Sequence, residues 1–185
     1  MRLTIGITGA SGVIFGINIL KELKKKNVET HLIISEWGSF NIEEETEYSL
    51  EQVKALATYS YKADNLAASI SSGTFKSDGM IIAPCSMKTL SGIAHGFADS
   101  LLIRAADVTI KERRKLILLV REAPLSPIHL ENMLKLSRLG VIIMPPLPAF
   151  YVKYQSVEDL IQQTTGRVCD FFGIKVENFQ RWQHL

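Results

Sequence analysis

The chain of 185 residues has little cysteine, no long apolar run and almost no net charge. Cys85 and Cys169 stand far apart, without a CxxC motif or a Cys/His cluster, which argues against a disulfide framework and a zinc site. No apolar stretch approaches the roughly twenty residues that cross a bilayer. A formal charge of +2 gives no reason to expect nucleic acid as a partner. Because the first predicted strand starts directly after Met1-Arg2, we expect no signal peptide and a cytoplasmic location.

The composition and the hydrophobic pattern predict one α/β domain over residues 1–185. Hydrophobic residues make up 46% of the chain and charged residues 22%, as in ordinary globular proteins. Apolar runs alternate with helical patterns, such as Gly12–Lys26 and Leu50–Ala57, which favours a doubly wound parallel sheet with helices on both faces. Ligands of such sheets bind at the carboxyl ends of the strands. The predicted strands are Leu3–Thr8, Val28–Ile34, Gly79–Ala83, Lys115–Val120 and Gly140–Met144.

The strand that begins at Gly79 leads into Pro84–Leu90, which predicts a sharp corner from strand to helix. We expect Pro84 to end the strand because it cannot donate a hydrogen bond to the ladder. Ser86 and Thr89 then occupy the N-cap and the first turn, beside unpaired backbone N–H groups. The corner therefore suits an anion or a ring edge, although a plain helix cap explains it equally well. Cys85 is more simply a buried thiol than a nucleophile.

Two further strand ends carry polar residues. The turn Gly6–Gly12 is rich in glycine, but its glycines do not form the GxGxxG dinucleotide fingerprint. Ser11 in that turn suits either a helix cap or a ligand contact. At the end of the second strand, Ser35 suits a monophosphate, whereas Glu36 leaves an NAD site open.

A charged pair, Arg121-Glu122, follows the apolar strand that ends at Val120. Such a pair is costly to shield from water unless its members bind each other or a ligand. Lys111, Tyr151 and Arg167 are further candidates for binding a phosphate without a metal. Whether they converge depends on the fold.

Five segments together resemble the flavin prenyltransferases of the UbiX type. They occur in order over nearly the whole chain, so the combination is more specific than any single segment. They are Gly9-Ala10-Ser11-Gly12, Pro84-Cys85-Ser86-Met87-Lys88-Thr89, Ala106–Arg113, Arg121–Leu125 and Pro145–Tyr151.

The resemblance implies a flavodoxin-like three-layer fold that binds FMN. The reaction that it implies is transfer of a dimethylallyl group from dimethylallyl phosphate to N5 and C6 of reduced FMN. The product, prenylated FMN, would serve a UbiD-type decarboxylase. A homododecamer with active sites between subunits would be the assembly.

The resemblance also implies roles for individual residues. Glu122 would act as the acid/base, with Lys111 and Ser11 completing the catalytic set. The residues that would bind the donor phosphate are Lys111, Arg121, Tyr151 and Arg167.

Residues 174–185, with Arg181 and Trp182, would form a tail that packs over the site or over a neighbouring subunit. One of Glu43, Glu44, Glu45 and Glu47 would approach the site. The expected FMN contacts are Gly9, Ala10, Ser11, Ser35, Ser86, Met87, Lys88, Thr89 and Arg121.

Two alternatives remain open from the sequence. One is a non-catalytic, flavin-binding accessory subunit of an aromatic acid decarboxylase. The other is a flavin-dependent cysteine decarboxylase, a class that uses a Pro-x-Ser-Ala-Asn-Thr turn and a catalytic histidine. The turn here differs at Met87 and Lys88, and no histidine falls in a matching motif; the four are His31, His95, His129 and His184.

Overall fold

The computed structural model describes residues 1–182, so His184 and the end of the predicted tail lie outside the described residues. The described chain forms six strands and seven α-helices, and one or two helices separate most successive strands. The strands are β1 (Arg2–Ile7), β2 (Glu29–Ile34), β3 (Tyr59–Tyr61), β4 (Gly79–Cys85), β5 (Lys115–Val120) and β6 (Ile142–Ile143). The helices are α1 (Val13–Lys25), α2 (Glu36–Glu45), α3 (Leu50–Lys54), α4 (Met87–His95), α5 (Leu101–Lys111), α6 (Pro127–Arg138) and α7 (Val157–Asp170).

The strands form one parallel sheet in the order β3-β2-β1-β4-β5-β6. This topology confirms the predicted doubly wound, flavodoxin-like α/β fold. The chain leaves β1 toward β2 on one side and later returns to β4 on the other. A topological switch point therefore lies between the carboxyl ends of β1 and β4, where such sheets bind their ligands.

Alternating side chains of the sheet face two cores, one on each side. Leu3, Ile5 and Ile117 pack with α1 and α7, whereas Met80 and Leu118 pack with α4, α5 and α6. Burial on both faces explains why the central strands read as continuous apolar runs rather than alternating ones. Between residues 1 and 182, no helix has the length and apolar character that a membrane crossing needs.

The prediction that Pro84 ends the strand is wrong. The pairing of β4 with β5 breaks after Ile82 and resumes with Cys85 opposite Val120. Because proline has no N–H to donate, the ladder is irregular at this point, yet the strand continues beyond it. The predicted helix start is nevertheless confirmed, because Ser86 is the N-cap of α4.

The two edges of the sheet also differ from the prediction. Strand β3 was not predicted, because Tyr59–Tyr61 is only three residues long. At the other edge, only Ile142–Ile143 pairs with β5, rather than the whole of Gly140–Met144. Gly140 has a φ of 86° and lies in the turn after α6, so the extended segment starts beyond it.

A buried histidine joins β2 to the β3 edge. The His31 side chain lies within hydrogen-bonding distance of the Tyr61 hydroxyl, 2.8 Å, and of the Glu29 carboxylate, 2.9 Å. Arg2 donates to the same carboxylate at 2.7 Å. Burial lowers the pKa of His31 below its usual range, although the Glu29 carboxylate acts in the opposite direction. Folding therefore disfavours the protonated imidazole.

This shift predicts that stability falls in mild acid. The contribution of a lowered His31 pKa is present above the unfolded-state value of about 6.5 and is lost as pH falls from there through the folded-state pKa. We expect His31→Gln to cost about 1–3 kcal/mol at neutral pH and to flatten the pH dependence. Urea unfolding midpoints between pH 7.5 and pH 5 measure both effects. An equal pH slope in wild type and variant would contradict the assignment to His31.

Candidate active site

A cavity of about 440 Å³ opens at the carboxyl ends of five strands. Its volume falls in the range of small-molecule sites. Gly9 follows β1, Ser35 follows β2, Ala63 follows β3, Ser86 follows β4 and Glu122 follows β5, so the cavity lies where the topology predicts. The remaining lining comes from the starts of α2, α4 and α5, namely Glu36, Trp37, Met87, Lys88, Thr89, Asp99, Ser100, Leu102 and Ile103.

Thr8 fastens the two loops of the switch point to each other. Its hydroxyl donates to the Pro84 carbonyl at 2.8 Å and accepts from the Ser86 N–H at 2.8 Å. Thr8 is itself buried. The glycine turn after β1 and the corner after β4 are therefore held in a fixed relation, which a preformed ligand site requires.

The corner after β4 presents a helix start to the cavity. Ser86 is the N-cap of α4, and its Oγ accepts from the Thr89 N–H at 3.3 Å. The same hydroxyl donates to Thr89 Oγ1 at 3.1 Å. Thr89 is buried, whereas Lys88 is exposed at the mouth. The first-turn N–H groups, with the positive end of the helix dipole, favour electronegative ligand atoms here.

The glycine turn lets α2 approach β1 closely. A Cβ on Gly9 would lie 2.2 Å from the Cβ of Trp37, so no other residue fits there without displacing α2. Ser35 caps α2 by accepting from the Gly38 N–H at 3.0 Å. Both predicted FMN contacts thus line the cavity and also shape its wall.

Glu45 is the acidic residue that reaches the glycine turn. Its carboxylate accepts from the N–H groups of Gly12, at 2.7 Å, and Val13, at 3.3 Å. Of the four candidate glutamates, the sequence pattern did not single it out, because its contact spans 33 residues. Gly12 rather than Ser11 is the N-cap of α1, with a φ of 99°. Ser11 is exposed beside the cavity, and the capping role considered for it falls away.

Arg121 and Glu122 emerge at the carboxyl end of β5. Both are exposed, and the side chain of Glu122 accepts from the Ala123 N–H at 3.0 Å. Among the described residues no ion pair joins the two, so the purely structural interpretation of this pair has no support. Glu122 lines the cavity, whereas Arg121, Ala10 and Ser11 adjoin it without lining it.

Lys111 lies at the opposite end of the sheet. It ends α5, forms an ion pair with Glu112 and lines a second cavity of about 820 Å³ at the amino ends of the strands. Strand β5 separates that end from Glu122 by about 20 Å, at about 3.3 Å per residue. Within one chain, Lys111 therefore does not meet Glu122. The second cavity is cationic, with Arg113, Arg114, Lys115 and Arg138 in its lining.

Tyr151 and Arg167 belong to a third group, which the tail holds together. Trp182 packs against Tyr151 with ring centroids 5.3 Å apart. Asp170 pairs with Arg167 at 3.4 Å and also with Arg181. Tyr151 and Arg167 are therefore both connected to the tail, Tyr151 through Trp182 and Arg167 through Asp170 and Arg181. Neither residue lines the cavity that contains Glu122.

The tail is fastened to α7 by the buried side chain of Gln163. Its amide nitrogen donates to the Gln180 carbonyl at 2.7 Å, and its oxygen accepts from the Gln180 N–H at 3.0 Å. Gly166 leaves room for Phe179, since a Cβ there would lie 2.6 Å from the Phe179 Cβ. This arrangement places Trp182 on Tyr151.

Gln163→Ala is expected to release the tail. Losing both hydrogen bonds should cost about 1–2 kcal/mol and shift the fluorescence of Trp182 to longer wavelength in a Trp37→Phe background. Gln163→Glu keeps the acceptor and loses the donor, so it should fall between wild type and Gln163→Ala. An unchanged Trp182 emission in Gln163→Ala would contradict this role.

Neither cysteine lines the cavity of Glu122. Cys85 and Cys169 are both buried, and burial raises the pKa of Cys85 far above its usual range and that of Cys169 to about 12. Such thiols are poor nucleophiles. Of the histidines within residues 1–182, none lines the cavity of Glu122. The residue pattern of a cysteine decarboxylase is thus missing from the described part of the cavity.

Comparison with known proteins points to one family. The chain matches the model of the Flavoprotein family over residues 1–169. It is 53% identical over 185 residues to a probable UbiX-like flavin prenyltransferase of Bacillus subtilis strain 168, covering 100% of this chain and 91% of the relative.

Two solved structures are similar over the whole chain. AnUbiX, crystallised in complex with FMN and dimethylallyl pyrophosphate, superposes with a TM-score of 0.97 at 50% identity, covering 100% of this chain and 98% of that one. A dodecameric FMN-dependent UbiX-like decarboxylase from Escherichia coli O157:H7 gives a TM-score of 0.97 at 52% identity, covering 100% of both chains.

Proposed function

Because the chain belongs to the Flavoprotein family, among its UbiX-type flavin prenyltransferases, we propose that it transfers a dimethylallyl group from dimethylallyl phosphate to N5 and C6 of reduced FMN. One observation links the proposed reaction to particular residues. A single cavity joins the glycine turn, the helix start at Ser86 and the carboxylate of Glu122.

The residues of this cavity fit FMN. Gly9 provides close backbone approach, and the start of α4 provides N–H donors for electronegative atoms of the flavin. Ser35, Ser86 and Thr89 add hydroxyls, and Leu102 and Ile103 provide apolar wall. Ala10, Ser11, Met87, Lys88 and Arg121 complete the proposed contacts. The hydroxyls of Ser11 and Ser86 orient the ring system rather than react.

The chemistry explains the charged residues. Reduced FMN supplies the nucleophilic ring atoms when it is bound. Breaking the allylic C–O bond leaves negative charge on the phosphate, and Lys111, Arg121, Tyr151 and Arg167 stabilise that charge. Glu122 passes a proton to the departing phosphate, which makes it a better leaving group. No metal is needed for these steps.

The separation of these residues within one chain supports a site assembled from several subunits. Lys111 is about 20 Å from Glu122 along β5, and Tyr151 and Arg167 lie outside the cavity. A homo-oligomer, of the dodecameric kind found for the Escherichia coli relative, brings such edges together. We therefore assign Lys111, Tyr151 and Arg167 to sites whose Glu122 belongs to another subunit.

Exposed apolar side chains support such an assembly. Phe150 is 89% exposed, Leu147 is 75% exposed and Ile128 is 67% exposed. Leu147 and Phe150 lie only three residues apart in the segment after β6, and exposed apolar side chains grouped in this way are typical of surfaces that a partner covers. A homododecamer covers them.

The product determines the partner. Prenylated FMN has no use in this chain, so a UbiD-type decarboxylase is proposed to receive it. We further propose that residues 1–185 act as one flavoprotein domain and that the protein works in the cytoplasm.

Anaerobic incubation with reduced FMN and an allylic donor tests the activity. Separate reactions with dimethylallyl monophosphate and pyrophosphate identify the donor, and mass spectrometry of the flavin reports the product. Reconstitution of an apo-decarboxylase of the UbiD type tests the partner. Absence of a prenylated flavin with both donors would favour the accessory-subunit alternative.

A further inference from the structure

A histidine lies at the start of α6, just beyond the loop that carries Glu122. Ser126 is the N-cap of α6, and its Oγ accepts from the His129 N–H at 3.3 Å. In return, the Ser126 N–H donates to Nδ1 of His129 at 3.2 Å. This reciprocal pair is a capping box, a motif whose third helical position usually holds glutamate or glutamine. Here the acceptor is instead an imidazole, the side chain that ordinarily changes its charge between pH 5 and pH 8.

The loop between β5 and α6 is held at its two ends. At the first end, the Arg121 N–H donates to the Cys85 carbonyl at 3.2 Å. At the other end, the capping box fixes the start of α6. Among the described residues, the segment Glu122–Leu125 has one hydrogen bond, from the Ala123 N–H to the Glu122 carboxylate, and that bond lies within the segment. The place of the carboxylate at the cavity therefore depends on how firmly α6 begins.

Protonation of His129 would break the capping box for two physical reasons. The Ser126 N–H can only donate, so Nδ1 needs its lone pair, and an imidazolium cannot accept this bond. A positive charge in the first turn also meets the positive end of the helix dipole. Neutral His129 thus closes the box, and the protonated form opens it.

The charged groups around α6 do not replace the lost bond. Helix α6 packs mainly against α4 and β6, and β6 carries no charged residue. None of the charged or titratable side chains of the neighbouring elements forms an ion pair or a hydrogen bond with the imidazole. Those on α4, on the loop and on α6 itself are Lys88, His95, Arg121, Glu122, Glu131, Lys135 and Arg138.

We propose that His129 is a positioning residue for Glu122 and that its neutral form holds the loop in the working position. The inference rests on the proposed prenyl transfer, in which Glu122 passes a proton to the departing phosphate. His129 does not line the cavity, so it acts through the loop rather than on the flavin or the donor. In mild acid the box opens, and the carboxylate loses its fixed place.

Single-turnover rates at saturating reduced FMN and donor test this role at pH 7.5 and pH 5.5. At pH 7.5, the rate should fall about tenfold in His129→Ala, which has no acceptor, and be largely recovered in His129→Gln, which has one. On going to pH 5.5, wild type should lose about tenfold more activity than His129→Gln, whose box does not titrate. Titration of Glu122 and of the donor phosphate affects all the proteins alike. The control is His95→Gln, the same change on α4 outside the cavity lining, which should behave like wild type at both pH values.

Amide hydrogen exchange of residues 122–126 reports the loop without any turnover. At pH 7.5, exchange should be about fivefold faster in His129→Ala than in wild type, and at pH 5.5 about fivefold faster in wild type than in His129→Gln. Equal exchange in these pairs, or faster exchange with unchanged turnover, would overturn the inference. So would equal losses of activity in wild type and His129→Gln at pH 5.5. If the exchange differences are present but wild type forms no prenylated FMN, the proposed function fails instead, so the two failures are distinct.

Discussion

Glu122→Gln is expected to lower prenyl transfer about 10²–10⁴-fold while FMN still binds. The amide matches the carboxyl in size and keeps an acceptor for the Ala123 N–H, so the loop after β5 should keep its shape. It cannot pass a proton to the departing phosphate, and that loss falls on the chemical step. Single-turnover rates with reduced FMN measure the effect.

The control for Glu122→Gln is Glu131→Gln, a change of the same kind on the exposed side of α6. It should leave both FMN affinity and turnover unchanged. Equal single-turnover rates in Glu122→Gln and wild type would remove Glu122 from the mechanism. A loss of FMN binding in Glu122→Gln would instead assign it to the flavin site.

Two inactive variants are expected to restore activity when they share an oligomer. Lys111→Ala and Glu122→Gln should each be nearly inactive as pure proteins. Because Lys111 and Glu122 lie at opposite ends of the sheet, the proposed site takes them from different subunits. A mixed oligomer then contains intact sites, and random mixing at equal amounts should give about a quarter of wild-type activity.

Co-expression with two affinity tags isolates the mixed oligomers. The control mixes two preparations of Glu122→Gln, which cannot form an intact site and should stay inactive. Complete absence of activity in mixed oligomers of verified composition would place both residues in one subunit and contradict the shared site.

The central fold was predictable from the sequence because both of its faces are buried. Runs such as Lys115–Val120 have few alternative structures, and their boundaries match those of the structure. The edges were less predictable. Tyr59–Tyr61 is too short to show a pattern, and Pro84 lies inside a strand that neighbouring backbone supports.

The site residues that directly follow strands were predictable from the sequence, whereas contacts between residues far apart in the sequence were not. Gly9, Ser86 and Glu122 follow strands, so the topology alone brings them to one edge. The contact of Glu45 with Gly12 depends on how α2 packs, and no local pattern encodes it. The placement of Lys111 and Glu122 at opposite ends of the sheet was likewise not predictable, because a motif shows which residue is present but not where the fold puts it.

The two buried thiols make the folded protein behave like a cysteine-free one toward alkylating reagents. With raised pKa values and no access, Cys85 and Cys169 should remain unlabelled until the chain unfolds. A single cysteine introduced on the surface would then carry a fluorophore or a spin label at one site, without removal of the native pair. The alkylation rate of these two thiols would also measure how often the core opens, because each thiol reacts only while it is exposed to solvent.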